Sequence, residues 1–332
     1  MKLGCSYFGN RILKHLKTDL EELRECGCNL VVHTFNENDL MFYNKTICEM
    51  VEMTREMGFE VYIDPWGVGK VFGGESFSNF VMQNTDAMQM VSDGRPGGCA
   101  CPNHPKFRAF MREWIDAAVH TGAETLFWDE PHFYLPGWIG GRPNTWGCVC
   151  PVCRKKFEET FNKPFPEQEN EDINKFREDC IYEFLAELIA YTNSKGRRNA
   201  LCVLPHRDSN HGTANWERMA SIPHLQVFGT DPYWYIFKEG LDYVERATKD
   251  VQEICAAKGL ESQVWLQGFK VPGGREAEMA DAIDIMLKHG VTNIAVWGFL
   301  ACSHISWIRP DNPELAWETI KNKFREVRNQ HP

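Results

Sequence analysis

Asp129 and Glu130 stand side by side at the end of the apolar run Thr125-Leu126-Phe127-Trp128, and Cys148, Cys150 and Cys153 follow in a C-x-C-x-x-C spacing. Neighbouring carboxyls in poorly hydrated surroundings repel, so one of them keeps its proton to a higher pH and becomes a donor near neutrality. An acid of that kind can protonate a glycosidic oxygen while a second carboxylate acts as base or nucleophile. The thiols suit different work. Three soft ligands at this spacing, with a fourth from Cys101 or Cys99 in "GGCACPNHP", make a closed tetrahedral shell for zinc, which fastens loops and leaves no open position for a water. The plainer alternatives are a rim ion pair from Glu130 to Arg142 and a group of buried free thiols.

These residues need a scaffold, and the chain supplies one by alternation. Eight β-rich segments, "KLGCSYF", "NLVVHTF", "EVYIDPW", "TLFWDEP", "NALCVLP", "LQVFGTDPYW", "QVWLQGF" and "NIAVWGF", are separated by stretches of helical spacing. That order is the signature of βα units, and eight of them predict an α/β fold of the (β/α)8 TIM-barrel type. In "LKTDLEELRECG", Leu16, Leu20 and Leu23 recur on one helical face and Gly27 supplies a stop; "KFRAFMREWIDAAVHTG" and "EMADAIDIMLKHG" read the same way. Residues 1–332 are expected to form one barrel domain, with loop insertions at about 66–101 and 131–153 on the C-terminal face of the strands. Active sites of such barrels lie on that face.

Polar residues collect at the same strand ends: His33, Asp64, His132, His206, Asp231 and Gln267 join Asp129 and Glu130. Aromatic rings accompany them at Trp66, Tyr134, Trp138, Tyr233, Trp234 and Trp297. Flat rings beside carboxyls and amides suit a sugar, whose C–H faces stack and whose hydroxyls need hydrogen bonds. Any one ring could equally cap the barrel core. Taken together, His33, Asp64, Trp66, His132, His206, Tyr233, Trp234, Gln267 and Trp297 are the candidate substrate-binding residues.

Bulk properties narrow the class. Hydrophobic residues make up 43% and charged residues 25% of the 332, which excludes a disordered chain. A net charge of −10 with no basic stripe argues against a nucleic-acid partner. No apolar run is long enough for a membrane span, and "MKLGCSYFGN" has no leader-like core, so a cytoplasmic protein without a membrane partner is expected. Thirteen cysteines, an odd number in a long chain, fit reduced thiols better than a disulfide scaffold. A small carbohydrate is the expected partner, and a homo-oligomer is compatible with the sequence.

The order "CPNHP", strand-end Glu130, "CVCPVC" and "RKKF" resembles the glycoside hydrolase family 42 β-galactosidases and their clan A relatives, specifically over Cys99 to Phe157. The resemblance implies a structural zinc on Cys101, Cys148, Cys150 and Cys153, and the general acid/base role for Glu130. The family's Asn-Glu is here Asp129-Glu130. At the seventh strand, where the family carries its nucleophilic glutamate, this chain reads Leu266-Gln267, so Asp231 is the candidate second carboxylate, with Asp129 and Asp64 in reserve. The expected activity is hydrolysis of a small glycoside or oligosaccharide. Two rivals are a metal-dependent sugar isomerase, epimerase or lyase using His33, Asp64, His206 and Asp231, and a sugar-binding barrel without catalysis.

Overall fold

The computed structural model describes residues 1–137, 141–207 and 210–331; Trp138 lies outside them. All eight expected segments are strands: β1 (Lys2–Tyr7), β2 (Leu30–Thr34), β3 (Glu60–Asp64), β4 (Thr125–Asp129), β5 (Arg198–Val203), β6 (Val227–Thr230), β7 (Glu261–Gln267) and β8 (Asn293–Trp297). They pair in parallel in chain order, and β8 closes on β1 through Lys2↔Asn293 to Cys5↔Val296. The protein is a (β/α)8 TIM barrel.

Helices α1 (Leu13–Glu25), α2 (Asn44–Glu56), α3 (Pro105–His120), α4 (Pro151–Phe161), α5 (Glu171–Ser194), α6 (Leu241–Lys258), α7 (Glu278–Lys288) and α8 (Pro313–Gln330) surround it. Most bury an apolar stripe, while α4 buries Cys153 and packs Phe157 against Phe161, Phe165 and Phe176. In α1, Leu16, Leu20 and Leu23 are fully buried, which contributes roughly 1.5–3 kcal/mol per side chain. In α3 the stripe is Phe107, Met111, Trp114, Ile115 and Ala118, and the chain then turns at Gly122, whose φ of 91° a side chain would resist. Among the described residues no helix is long and apolar enough to cross a membrane.

The lumen is filled by the alternate set of strand residues, among them Leu30, Val32, Tyr62, Phe127, Val227 and Trp265. Lys2 and Arg198 bridge Glu60 and Glu261 where β1, β3, β5 and β7 begin, closing the bottom with charges. The top stays open and carries both long insertions. The β3 insertion contains a two-stranded hairpin, Met88–Met90 with Pro96–Ala100, and the insertions are stitched together by Val149 N–H to Met90 O and Ser92 N–H to Trp146 O, both 2.8 Å. Glu37 anchors the first insertion from β2's side: its carboxylate accepts from Gly69 N–H (2.8 Å), Ser78 Oγ (2.6 Å) and Phe80 N–H (2.5 Å).

Candidate active site and thiol cluster

Strand parity decides which side chains reach the mouth. Tyr62 and Phe127 point into the lumen, so Asp64 and Asp129, two residues on, point inward as well. Asp231 continues β6 on the same parity as lumenal Val227. Glu130 has the opposite parity and should turn away. It does not, because its backbone sits at a φ of 39°, a left-handed conformation that costs a non-glycine residue of order 1–3 kcal/mol. Its N–H donates to Cys202 O (2.9 Å), and its carbonyl accepts from His132 Nδ1 (2.6 Å), which pins the turn.

Gly73, in the β3 insertion, shows how closely the two carboxyls converge. A Cβ there would lie 2.6 Å from both Asp129 Oδ2 and Glu130 Oε2, so these oxygens are at most twice that distance apart. Only a residue without a side chain leaves them room. Gly73 N–H donates to Asp129 O at 3.0 Å, holding the loop against the strand end.

The result is a cavity of about 280 Å³ lined by Glu75, Asp129, Glu130, Asp231, Tyr233 and Trp297, with Phe269 and Ile308 on its apolar side and Trp307 at its edge. Phe8 stacks on Trp297 with centroids 4.8 Å apart and touches Trp66 at 5.4 Å; these two rings back Trp297, and the expected substrate-binding Trp66 does not itself line the cavity. Asp64 is fully buried and does not line the cavity, though Glu130 and Glu75 lie near enough to act on it, and among the described residues neither of its carboxyl oxygens has a hydrogen-bond partner.

Burial is the first cause of the site's electrostatics. It raises Asp64, Asp129 and Asp231 well above the usual carboxylate range, and mutual repulsion with Glu130, Asp64 and Glu75 adds to it. Glu130 and Glu75 are raised too, again by burial first. Glu130 and Asp231 act on each other's ionisation, the charge of Glu130 raising Asp231 after burial. The pair therefore titrates as a unit that keeps a proton above the ordinary carboxylate range.

Several expected site residues face elsewhere. His33 has odd parity: its Nε2 meets Thr54 Oγ1 of α2 at 2.9 Å, outside the barrel, and burial lowers its pKa to about 4. Trp234 is buried between barrel and helices and donates to Glu278 Oε2 at 3.1 Å. Gln267 is inward, but its amide is consumed by Phe269 O (2.8 Å) and Tyr235 N–H (3.0 Å), so it fixes loops and does not present a free group. His206 packs edge-on to Phe237 in a separate recess with Arg177 and Asn210. His132 lines a neighbouring recess with Lys70 and Tyr134 and acts on the site through Glu130's backbone. Arg142 pairs with Asp93 at 2.7 Å and leaves Glu130 alone. Conversely, Gly73, Glu75, Lys270 and Trp307 were not singled out by sequence; the one available signal was a carboxyl directly after Gly73-Gly74 inside a strand-end insertion.

The thiols do assemble. The Sγ atoms of Cys101, Cys148, Cys150 and Cys153 all lie within 4.8 Å of one another, and all four residues are buried. Cys101 Sγ is 3.4 Å from Cys153 Sγ and 3.8 Å from Cys150 Sγ. Cys150 caps the N-terminus of α4, where Cys153 N–H points at its sulfur (3.4 Å). Asn103 Nδ2 donates to Cys153 Sγ at 3.3 Å, and the buried Arg177 guanidinium lies near enough to Cys148 and Cys153 for their charges to act on it. A buried set of four thiols with donors and a cation around it can bind a metal ion.

No protein-family model matches the chain, and no curated protein matches it in sequence. Solved structures resemble it in shape. The catalytic domain of β-amylase from Paenibacillus polymyxa gives a TM-score of 0.67 at 10% identity, covering 98% of each chain. The endo-β-1,4-mannanase from Thermotoga petrophila gives 0.61 at 10% identity over 100% of this chain and 77% of its own. D-psicose 3-epimerase from Clostridium cellulolyticum H10 gives 0.51 at 13% identity over 98% and 99%. At such identities the likeness is one of fold, and the fold they share with this chain is the TIM barrel.

Proposed function

We propose that the protein is a carbohydrate-active barrel enzyme of the glycoside hydrolase type, acting on a small glycoside. The observation that carries this is the convergence of Asp129, Glu130 and Asp231 in an aromatic-walled cavity at the C-terminal mouth. In this reading Glu130 delivers the proton to the leaving oxygen. Asp231, whose ionisation is coupled to that of Glu130, serves as the partner that holds the pair's proton. Asp129 is then the second carboxylate. Its distance from Glu130, bounded through Gly73, is compatible with the roughly 5–5.5 Å of retaining enzymes. That hydrolases and sugar epimerases share the fold agrees with a sugar ligand. The metal-dependent isomerase reading has less support, because His33 and His206 turn away from the cavity.

Zinc is the proposed occupant of the thiol cluster. A tetrahedral shell with Zn–S bonds of about 2.3 Å has sulfur edges of about 3.8 Å, and the separations of 3.4 and 3.8 Å fit it. Bound there, zinc supplies a crosslink between the two insertions and no chemistry. The test of the catalytic reading is Glu130→Gln, which keeps shape and removes the titrating proton. Turnover on nitrophenyl glycosides should fall by about 10²–10⁴-fold with KM little changed. Undiminished turnover on each glycoside that the parent cleaves would refute the role, and tight sugar binding without turnover in the parent would favour a binding protein.

A further inference from the structure

The cavity holds more acid than proton transfer needs. Glu75, Asp129, Glu130 and Asp231 line it and Asp64 is buried nearby, yet among the described residues no salt bridge joins any of the five to a lysine, arginine or histidine. Elsewhere the chain pairs its carboxyls: Asp93 meets Arg142, and Glu187 meets Arg108 and Arg112. The two nearby cations favour the charged form of Glu75 from a distance but make their direct contacts elsewhere. Lys70 Nζ donates to Gly74 O (2.8 Å) and Ser76 O (3.1 Å), while Lys270 Nζ sits 3.8 Å over the ring of Trp307, which is 60% exposed at the rim. Asp231 is 2% exposed, lines the cavity, and among the described residues leaves Oδ1 with no partner; both oxygens of fully buried Asp64 likewise have none among them. A buried acceptor without a donor costs roughly 1–3 kcal/mol, more when charged, so such a group marks a place where a ligand's donor belongs.

We propose that the cavity is selective for an amino sugar, a sugar ring with a free, protonated amine, whose ammonium donates to Asp231 on the carboxyl-lined side of the cavity while its ring stacks on Trp297. An ammonium offers a charged donor to an Asp231 oxygen that has none among the described residues, and charge-assisted hydrogen bonds are about twice as strong as neutral ones. A bare divalent ion fits less well. Among the described residues the only set of three or more ligand atoms drawn within 4.8 Å of one another is the thiol cluster, so the carboxyls are spread wider than one metal shell. Tyr233 and Cys202, the other titratable groups beside them, are buried and stay neutral, because burial and the carboxyls raise both. Entry of a cation favours ionised carboxyls, so binding releases protons, and affinity rises with pH until the amine itself deprotonates.

The inference rests on the carbohydrate reading, and the two can fail separately. Calorimetric titration of the full chain with D-galactosamine, D-galactose and N-acetyl-D-galactosamine, and with the glucose series, in two buffers of different ionisation enthalpy, provides the test. In at least one series the free amine is expected to bind tenfold or more tightly than the neutral and acetylated sugars, with a buffer-dependent heat that reports proton release. Asp231→Asn and Asp231→Ala, checked for folding by thermal melts, should shrink that preference to threefold or less. Neutral sugars binding as well as amines would overturn the inference and leave the carbohydrate reading standing. A preference that persists in both variants would mean attraction to the net negative surface and would overturn it too. Stoichiometric binding of Mg²⁺ or Mn²⁺ that Asp231→Asn abolishes would replace it with a metal site, and binding of no sugar at all would overturn both readings.

Discussion

Gly73→Ala is the sharpest test of the site, because the structure fixes how far the reacting groups must move. The new methyl would arrive 2.6 Å from Asp129 Oδ2 and Glu130 Oε2, and ordinary contact begins at 3.4 Å, so the oxygens must retreat by about 0.8 Å. The backbone is not the obstacle, since Gly73 is not among the residues at positive φ and alanine can adopt its conformation. Losing a glycine lowers the entropy of the unfolded chain by about 0.4–1 kcal/mol, which offsets part of the strain. The melting temperature should therefore stay within about 4 °C of the parent. Catalysis is less forgiving: misplacement of about 1 Å costs on the order of 10²-fold. We expect kcat on a glycoside that the parent cleaves to fall about 10²-fold with KM little changed. In a Glu130→Gln background the same methyl should cost several-fold less than in the parent, since one of the two groups it displaces no longer works and only Asp129 remains to be misplaced. A kcat within twofold of the parent would refute the claim that these two oxygens are the working pair. So would full additivity with Glu130→Gln.

Two further expectations concern stability. The folded-state pKa of Asp64 is raised, by burial first and then by repulsion from Glu130 and Glu75, so between its unfolded and folded values the native state holds a proton that the unfolded chain has released. Its contribution to stability is therefore present at acid pH and is lost as pH rises. Asp64→Asn, which cannot ionise, should gain on the parent by up to about 1.4 kcal/mol per pH unit within that window; denaturant melts showing an equal difference at pH 4.5 and 7.5 would sink this. Elemental analysis should find about one zinc per chain, and removing it with a chelator or by Cys153→Ser should lower the melting temperature by loosening the two insertions; a melting temperature indifferent to metal would show that the thiols bind none that matters.

The eight strands were legible because each is a short β-rich run beside a helical stripe, and local pattern and fold agree there. Parity within a strand was not. Leu30-Val31-Val32-His33-Thr34 is buried on both faces, so no polar alternation marks which set enters the lumen, and a one-residue choice sent His33 to the wrong side. Trp234 was misread for a related reason: an aromatic just past a strand end suits the mouth or the helix layer equally well until the turn after Asp231 is known. Glu130 reached the cavity against parity, through a backbone conformation that no residue type near it announces. Glu75 lies in an insertion with no period at all. The thiol cluster was readable because ligand spacing is a local property, needing only a turn and the first residues of a helix.

The two kinds of site depend on each other through the insertions. Cys101 ends the β3 insertion, while Cys148 and Cys150 end the β4 insertion and Cys153 lies in α4, so one ion would tie both to the start of a helix. Between that knot and the cavity, Gln89 bridges the same two segments, donating to Ala100 O and accepting from Tyr134 N–H at 3.0 Å each. His132 N–H donates to Val71 O (2.9 Å), two residues from Gly73. With the proposed ion bound, the loop that presses Gly73 against Asp129 and Glu130 would be fixed at its far end by sulfur, and it is held near the carboxyls by backbone bonds to the segment that carries Glu130. Glu130 can occupy a costly left-handed conformation because the segments on either side of it are already held.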